Sequence, residues 1–398
     1  MKPHSRFKAP MLAGLAAASA GAALFLGGKT AVRGKSAPVD ALLGRRTAPG
    51  RGYRPSYLKG RVVLVSGAGG SIGSELCRQI AQAVPSRLVL LDFCENGVYE
   101  LQQELESLSQ GLPVSVEIGS VQDPVRLREI FSRYRPQVVF HAAAHKHVPL
   151  MEHCPGEAVK NNIFGTEEIA RASLRWGTRR FVLISTDKAV NPSSVMGATK
   201  RFCEMLLQSM HGQGKTSFSA VRFGNVLGSN GSVVPLFLRQ IERGGPVTVT
   251  DRRMIRYFMT IPEAVELVLR AGAMESGSGI YLLDMGRPVR ILDLAERLIR
   301  LTGHLPYREI PIVETGLRPG EKLYEELLLG NGPLRATADR KILIERQNPV
   351  SAREIERSLH LLRRAAETGS SGEVRQALMQ AVPEYRPLGK LRQKSQSA

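Results

Sequence analysis

Short apolar runs alternate with longer amphipathic stretches along the chain from about residue 61. The runs have the length and the β-branched composition of buried strands, and the stretches between them carry the helical period. The alternation predicts an α/β fold, a doubly wound parallel sheet with helices on both faces. The predicted strands are 61–66, 87–91, 114–118, 137–141, 180–185 and 217–222.

The pattern becomes irregular after about residue 225. Short strands are expected at 246–249 and 280–283, and helices near 262–273 and 292–301. We therefore expect a smaller C-terminal substrate-binding lobe at 226–345, with returns to the core, followed by a helical basic tail at 346–398.

The first residues differ in kind. Three basic residues precede an uncharged run at 9–28, and twenty helical residues rise about 30 Å, enough to cross a bilayer. Residues 1–28 are therefore expected to be one basic-flanked transmembrane helix, with a cleaved signal peptide (Ala18-Ser19-Ala20) or a peripheral segment as alternatives. Seven further Lys and Arg follow between residues 29 and 54, in a Gly/Pro/Arg-rich linker predicted at 29–59. This bias predicts a single-pass inner-membrane protein whose catalytic domain is cytoplasmic.

Charge is concentrated at the ends of the chain. The net charge is +19, of which residues 1–60 hold +10 and residues 340–398 hold +6. A nearly neutral body with basic ends favours the inner membrane surface over nucleic acid as a partner. The four cysteines show no C-x-x-C pair, so no metal site is expected and a reducing cytosol is favoured.

The run at 62–66 leads into three glycines spaced G-x-x-G-x-x-G. Gly67 suits a tight turn, Gly70 the close approach of a pyrophosphate, and Gly73 close helix–strand packing. The next strand ends in Asp92, which would accept ribose hydroxyls, and no arginine follows closely, so NAD is favoured over NADP. Residues 60–225 are therefore expected to form an NAD-binding Rossmann domain. The cofactor-binding candidates are Gly67, Gly70, Ser71, Ile72, Gly73, Asp92, Ala142, Ala143 and Lys200.

The fifth strand ends in a hydroxyl, a carboxylate and an amine: Thr186, Asp187 and Lys188. Ligands bind at the carboxyl ends of strands in doubly wound sheets, so this succession is a candidate catalytic group. Met196 and Lys200 follow on one face of a helix predicted to extend to about residue 210.

Four strings carry a family resemblance: 141–149 (His-Ala-Ala-Ala-His-Lys-His-Val-Pro), 185–192 (Ser-Thr-Asp-Lys-Ala-Val-Asn-Pro), 256–262 (Arg-Tyr-Phe-Met-Thr-Ile-Pro) and 316–322 (Gly-Leu-Arg-Pro-Gly-Glu-Lys). With the glycine turn, they resemble the membrane-associated UDP-N-acetylglucosamine 4,6-dehydratases of capsule and O-antigen biosynthesis. That family lies within the extended short-chain dehydrogenase/reductases, whose helix signature is Tyr-x-x-x-Lys. Met196 takes the tyrosine position, as it does in the larger membrane-bound dehydratases.

The resemblance implies NAD-dependent loss of water from a UDP-N-acetylhexosamine, giving a 4-keto-6-deoxy sugar nucleotide. It implies that Thr186 binds the C4 oxygen, Asp187 protonates the departing C6 hydroxyl and Lys188 removes H5. Lys200 would hold the nicotinamide ribose. Methionine cannot accept the C4-hydroxyl proton, which leaves Asp187 or a water held by Thr186 for that role. The implied substrate contacts are Lys146, Asn225, Arg256 and Arg318.

Two other functions stay open. A nucleotide-sugar 4-epimerase of the same fold also oxidises C4, but it would need neither Asp187 nor Lys188 and would favour tyrosine at 196. A catalytically silent, membrane-tethered binding protein is the second alternative. A homo-oligomer is expected in each case.

Overall fold

The computed structural model describes residues 37–47, 50, 52–109, 111–274, 279–326, 334–345 and 350–388. The membrane helix expected at 9–28 lies outside these residues. Within the described ranges, no helix combines the length and the apolar composition needed to cross a bilayer.

Nine strands form the main sheet, in the order β13-β14-β10-β6-β5-β4-β1-β2-β3. All six predicted strands are present and parallel, and only β13 and β14 run antiparallel to their neighbours. The order reverses between β1 and β4, and this reversal opens a crevice at the carboxyl ends of the strands. The strands are β1 (Val62–Ser66), β2 (Arg87–Asp92), β3 (Val114–Ile118), β4 (Val138–His141), β5 (Arg180–Ile184), β6 (Ser217–Arg222), β7 (Asn225–Val226), β8 (Val247–Val249), β9 (Ile255–Met259), β10 (Ile280–Leu283), β11 (Pro288–Arg290), β12 (Ile312–Glu314), β13 (Leu334–Ala336) and β14 (Ile342–Glu345).

Helices cover both faces of this sheet, as the sequence predicts. One face packs against α2, α3 and α10, and the other against α4, α7 and α8. The α-helices are α1 (Ala37–Leu43), α2 (Ser71–Ala81), α3 (Glu95–Leu108), α4 (Pro124–Tyr134), α5 (Val148–His153), α6 (Pro155–Ala158), α7 (Gly165–Arg175), α8 (Val195–Ser209), α9 (Val233–Glu242), α10 (Ile261–Ala273), α11 (Ile291–Leu301), α12 (Ala352–Glu367) and α13 (Ser371–Ala381). A π-helical turn (Val159–Phe164) leads into α7, and 3₁₀ turns lie at Ser56–Leu58 and Asp187–Ala189.

The smaller lobe has its own apolar core, built from α1, α9, α11, β8 and β9. Two short sheets support it, ordered β11-β9-β7 and β12-β8. β10 pairs with β6 and β14 pairs with β10, so the chain returns from the lobe to the main sheet of the Rossmann unit.

The described part of the segment predicted as a linker, within 29–59, packs against the rest of the protein. Leu42 is fully buried against the lobe, and Arg45 forms a 3.0 Å ion pair with Glu263 at the start of α10. The Gly/Pro/Arg-rich composition indicated a loose segment, but its apolar residues are packed: Leu43 belongs to the core of the lobe and Leu58 to the core beside the main sheet. The predicted tail does form helices, α12 and α13, yet these pack into the main core beside α8 instead of extending from it.

Candidate active site

One cleft of about 640 Å³ lies over the carboxyl ends of β1, β4, β5 and β6. It brings together most of the predicted site residues: Gly67, Gly70, Ser71, Ile72, Gly73, Ala142, Lys146, Thr186, Lys188, Met196, Lys200, Asn225, Arg256 and Arg318. A smaller adjoining pocket of about 230 Å³ is lined by Asp92 and Ala143, and it shares Gly67, Gly70 and Ala142 with the large cleft. Asp187 is 1% exposed and lies between Thr186 and Lys188 in the chain.

The 67–73 turn needs glycine for steric reasons. Gly67 has a φ of +72°, and a Cβ there would lie 2.6 Å from the backbone nitrogen of Ala143. A Cβ on Gly73 would collide with the carbonyl oxygen of Gly67. The turn therefore brings β1 and the N-terminus of α2 to the cleft wall, where free backbone amides favour a phosphate.

Asp92 is fixed in orientation at the end of β2. One carboxylate oxygen accepts a hydrogen bond from the backbone nitrogen of Gly69 at 2.8 Å, and the other from Cys94 at 2.9 Å. Among the described residues that line the smaller pocket there is no lysine or arginine. The pocket thus offers an anion to ribose hydroxyls and no cation to a 2′-phosphate.

The catalytic candidates form one hydrogen-bonded group. The Oδ1 atom of Asp187 accepts from Thr186 Oγ1 at 2.8 Å and from Lys188 Nζ at 3.0 Å. Its Oδ2 atom is buried and has no partner among the described residues. Lys188 Nζ also lies 3.5 Å from Asn225 Oδ1. Burial alone would lower the pKa of Lys188, but the negative charges of Asp187 and Glu325 outweigh it and raise that pKa.

Met196 and Lys200 occupy the first two turns of α8. Ser194 caps this helix by accepting a hydrogen bond from the backbone nitrogen of Gly197 at 3.1 Å. Met196 is 4% and Lys200 is 5% exposed. Burial lowers the pKa of Lys200, whose amine forms no ion pair with any described residue. A buried amine that lines the cleft without an ion-pair partner among the described residues is suited to a polar ligand.

A buried ionic cluster under the cleft fixes α8 to the sheet. Glu204 of α8 accepts from Ser185 Oγ at 2.6 Å and from Arg222 of β6 at 2.6 Å. Arg222 is itself paired with Glu345 of β14 at 2.6 Å. Removing one member of such a buried cluster leaves an uncompensated charge, so these groups have to act together.

The four predicted substrate contacts differ in availability. Arg318 is exposed, and its side chain has no ion pair among the described residues. Lys146 lines the same cleft, and desolvation lowers the pKa of its amine. Asn225 is shared between Lys188 and the carbonyl oxygen of Tyr257.

Arg256 is 6% exposed and already donates to the carbonyl oxygens of Lys322 at 2.6 Å and Leu323 at 3.1 Å. A contact between Arg256 and the substrate diphosphate stays a prediction. For such a contact, the guanidinium would have to bind the phosphate and these carbonyl oxygens at the same time.

Sequence reasoning missed Glu325. Its Oε1 atom lies 3.7 Å from Lys188 Nζ and 3.5 Å from the guanidinium of Arg256. The sequence does show two neighbouring glutamates, Glu325 and Glu326, shortly after the 316–322 string. It does not show which of the two side chains points towards the cleft.

The sheet order, the glycine turn and the Thr-Asp-Lys group place the chain in the extended short-chain dehydrogenase/reductase fold class. Residues 63–347 match the family model described as "Polysaccharide biosynthesis protein". The chain belongs to that family, and the resemblance predicted from the four strings is confirmed at the family level.

Curated relatives support the same assignment. The chain is 53% identical over 310 residues to the probable polysaccharide biosynthesis protein EpsC of Bacillus subtilis, covering 77% of this chain and 52% of EpsC. It thus spans about half the length of the relatives with this identity. A 45% identical protein of Methanocaldococcus jannaschii is named an uncharacterized membrane protein, with 69% of this chain and 82% of that protein covered.

Two more distant relatives carry named activities. A UDP-N-acetylglucosamine 4,6-dehydratase (inverting) of Campylobacter jejuni is 32% identical, with 68% of this chain and 78% of that protein covered. A UDP-glucose 4-epimerase of Rickettsia canadensis is also 32% identical, with coverages of 67% and 77%. These relatives are nucleotide-sugar enzymes of two different reaction types.

Solved structures show the same fold. The X-ray structure of Pen from Bacillus thuringiensis matches with a TM-score of 0.68 and 33% identity, covering 74% of this chain and 92% of Pen. A Thermus thermophilus UDP-glucose 4-epimerase solved in complex with NAD has a TM-score of 0.58 and 21% identity, with coverages of 67% and 90%.

Proposed function

We propose that this protein is an NAD-dependent 4,6-dehydratase acting on a UDP-N-acetylhexosamine, with UDP-N-acetylglucosamine the first substrate to test, in surface polysaccharide or glycan biosynthesis. The observation that carries the proposal is the hydrogen-bonded group of Thr186, Asp187 and Lys188 beside Met196. Elimination needs a paired acid and base, and a tyrosine-dependent epimerase would not require this pair.

NAD fits the cofactor half of the cleft. The 67–73 turn would hold the pyrophosphate, Asp92 the adenosine ribose and Lys200 the nicotinamide ribose. The anionic smaller pocket supports NAD over NADP. When bound, NAD⁺ would supply reversible hydride storage between C4 and C6 of the sugar.

The side chains account for the proton movements. Thr186 donates to Asp187, so it can take the proton of the C4 hydroxyl while passing its own to the carboxylate. Protonated Asp187 then gives that proton to the C6 hydroxyl, which leaves as water. Lys188 takes H5 and returns a proton to C5 when C6 is reduced, so the net change is the loss of one water.

Lys188 must be a neutral amine before it can take H5. Its raised pKa means that the ligand-free protein holds it as ammonium at neutral pH. The reaction therefore requires a deprotonated Lys188, and this requirement gives the proposal a distinct pH signature.

The test is incubation of the purified chain with UDP-N-acetylglucosamine and NAD⁺, followed by mass spectrometry of the sugar nucleotide. Loss of one water without net NADH is the expected result, and Lys188→Ala should abolish it. Lys59→Ala, at an exposed lysine away from the cleft, is the matched control and should leave turnover unchanged.

A 4-epimerase is the second candidate, because a UDP-glucose 4-epimerase is 32% identical to this chain. An unchanged product mass with inverted configuration at C4 would support it and refute the dehydratase. Binding of both NAD and the UDP-sugar without any turnover would support a silent binding protein instead. The inner-membrane anchor and the homo-oligomer stay predictions, tested by membrane fractionation and light scattering of the full chain.

A further inference from the structure

Lys188 faces two carboxylates, and only one of them belongs to the Thr-Asp-Lys segment. Asp187 is its chain neighbour, at 3.0 Å. Glu325 reaches it from a distant loop, at 3.7 Å, with a side chain that is only 5% exposed. A carboxylate this buried has to be compensated by cations, and among the described residues Lys188 and Arg256 lie within 4 Å of it.

The 316–326 loop is tied to the catalytic segment at several points. Lys322 Nζ donates to the carbonyl oxygen of Val190 at 3.2 Å, and Ser193 Oγ donates to the carbonyl oxygen of Gly320 at 2.9 Å. The guanidinium of Arg256, on β9, donates hydrogen bonds to backbone carbonyl oxygens of the loop. These contacts fix the loop, and with it the carboxylate of Glu325, against the end of β5.

The charges around Lys188 come from three elements. Asp187 lies on the same 3₁₀ turn as Lys188, Glu325 lies on the 316–326 loop and Arg256 lies on β9. Asn225 of β7 also faces Lys188 but is neutral. The two anions stabilise the ammonium form and Arg256 opposes them. Because Asp187 must change its own protonation during the proposed reaction, Glu325 is the anion whose charge can stay constant.

We propose that Glu325 is a positioning residue that holds the Lys188 amine at the end of β5 and sets the pH range in which this amine acts as a base. The inference rests on the proposed function for its catalytic meaning. Its electrostatic part concerns Lys188 alone and can be measured without any substrate.

The first test measures the reactivity of Lys188 directly. Wild type and Glu325→Gln are treated with acetic anhydride at about pH 8.5, and the acetylation rate of Lys188 relative to exposed Lys59 is read by peptide mass spectrometry. Removing an anion this close should lower the pKa of the Lys188 amine, so its relative acetylation rate should rise about tenfold or more. Glu314→Gln removes a charge from the neighbouring strand β12, where the carboxylate faces Arg252, and should change nothing.

The second test is the pH profile of kcat for the dehydratase reaction. The acid limb should move to lower pH in Glu325→Gln by the shift seen in labelling, with KM changed less than kcat. Glu325→Asp keeps the charge but withdraws it by one methylene, so it should lie between wild type and Glu325→Gln. This variant also provides the test if the glutamine variant does not fold.

The outcomes separate the two proposals. Equal labelling of Lys188 in wild type and Glu325→Gln overturns the inference, whatever the activity. If the acetylation rate of Lys188 rises in Glu325→Gln but the wild-type protein removes no water from the substrate, the dehydratase is refuted. The role of Glu325 in controlling Lys188 is then still supported.

Discussion

Two glycine-containing segments, the 67–73 turn and the 316–326 loop, line the same cleft, and they differ in how far their contacts could be predicted from the sequence. The 67–73 turn acts through its neighbours in the chain: β1 enters it, α2 leaves it, and Gly73 packs against Gly67. The 316–326 loop acts through residues more than 60 positions away, at β9 and at the end of β5. A local motif can be recognised from spacing alone, whereas a loop defined by its distant contacts needs the fold.

The largest effect on cofactor binding is expected in the turn, from Gly73→Ala. The new methyl group would collide with the carbonyl oxygen of Gly67, so α2 has to move away from β1. We expect NAD affinity to fall about 100-fold and the free energy of unfolding to fall by about 1–3 kcal/mol, measured by calorimetry and denaturant titration.

Gly156→Ala is the control for this variant, because nothing lies within 4 Å of the added carbon and the site is helical. It should be neutral or slightly stabilising. Unchanged NAD binding by Gly73→Ala would remove the turn from the cofactor site.

The loop should respond differently, and Gly320→Ala tests this. Gly320 has a φ of +75°, and a Cβ there would lie 2.8 Å from the Cβ of Ser194. The loop would be pushed off the catalytic segment, so kcat should fall about 10- to 100-fold while NAD affinity stays the same. Steady-state kinetics and calorimetry separate these two effects.

Gly316→Ala shares the positive φ, at +85°, but its added carbon meets nothing within 4 Å. Gly316→Ala should therefore lower the free energy of unfolding through backbone strain without lowering kcat. Equal losses in both variants would mean that strain, and not contact with Ser194, is what matters.

The pH dependence of the reaction sharpens the comparison, because the loop contributes Glu325 to it. The pKa of Lys188 is raised, so the neutral base becomes more abundant as pH rises. We expect kcat to increase by about tenfold per pH unit across roughly pH 6 to 9, provided that the proton-transfer step limits the rate. A kcat that stays flat over this range while proton transfer from C5 limits the rate would exclude Lys188 as the base.

The smallest effect is expected from Asp92→Asn, at the far end of the cofactor pocket. The amide loses the negative charge that disfavours a 2′-phosphate while keeping an oxygen for one of the two backbone amides. NAD should bind several-fold more weakly, about 1 kcal/mol, and NADP should bind no worse than before. Parallel calorimetric titrations with both dinucleotides measure the ratio, and a parallel loss of both would argue against the role of Asp92 in choosing the cofactor.

Predictability from sequence followed the range of the interactions involved. The predicted strand at 114–118 and the helix at 262–273 are found within one residue of their expected bounds, because their period and their turn residues are local. The helices α12 and α13 were predicted by their amphipathic pattern, but not their packing site, since an apolar stripe does not name its partner. Leu42 was placed in a linker because the Gly, Pro and Arg residues around it conceal the few apolar side chains that are buried there.

The site divides in the same way. Asp187 and Lys188 were predicted because they follow the end of a strand; in the structure Lys188 lines the cleft and Asp187 is buried beside it. Arg256 was correctly placed in the cleft, but its bonds to the backbone of the 316–326 loop depend on the closure of that loop. Glu325 depends on the same closure, and for that reason it could be identified only from the structure.

The packing of α12 and α13 has a consequence for dissecting this molecule. Leu206 and Phe202 of α8 share one core with Leu359, Leu378 and Tyr385, and the backbone of Leu388 donates to Ser193 beside the catalytic segment. The family match ends at residue 347, before either of these helices begins. A fragment cut at that point would leave α8 with an exposed apolar surface, so we expect the smallest part of this protein that folds on its own to extend well past the end of the family match.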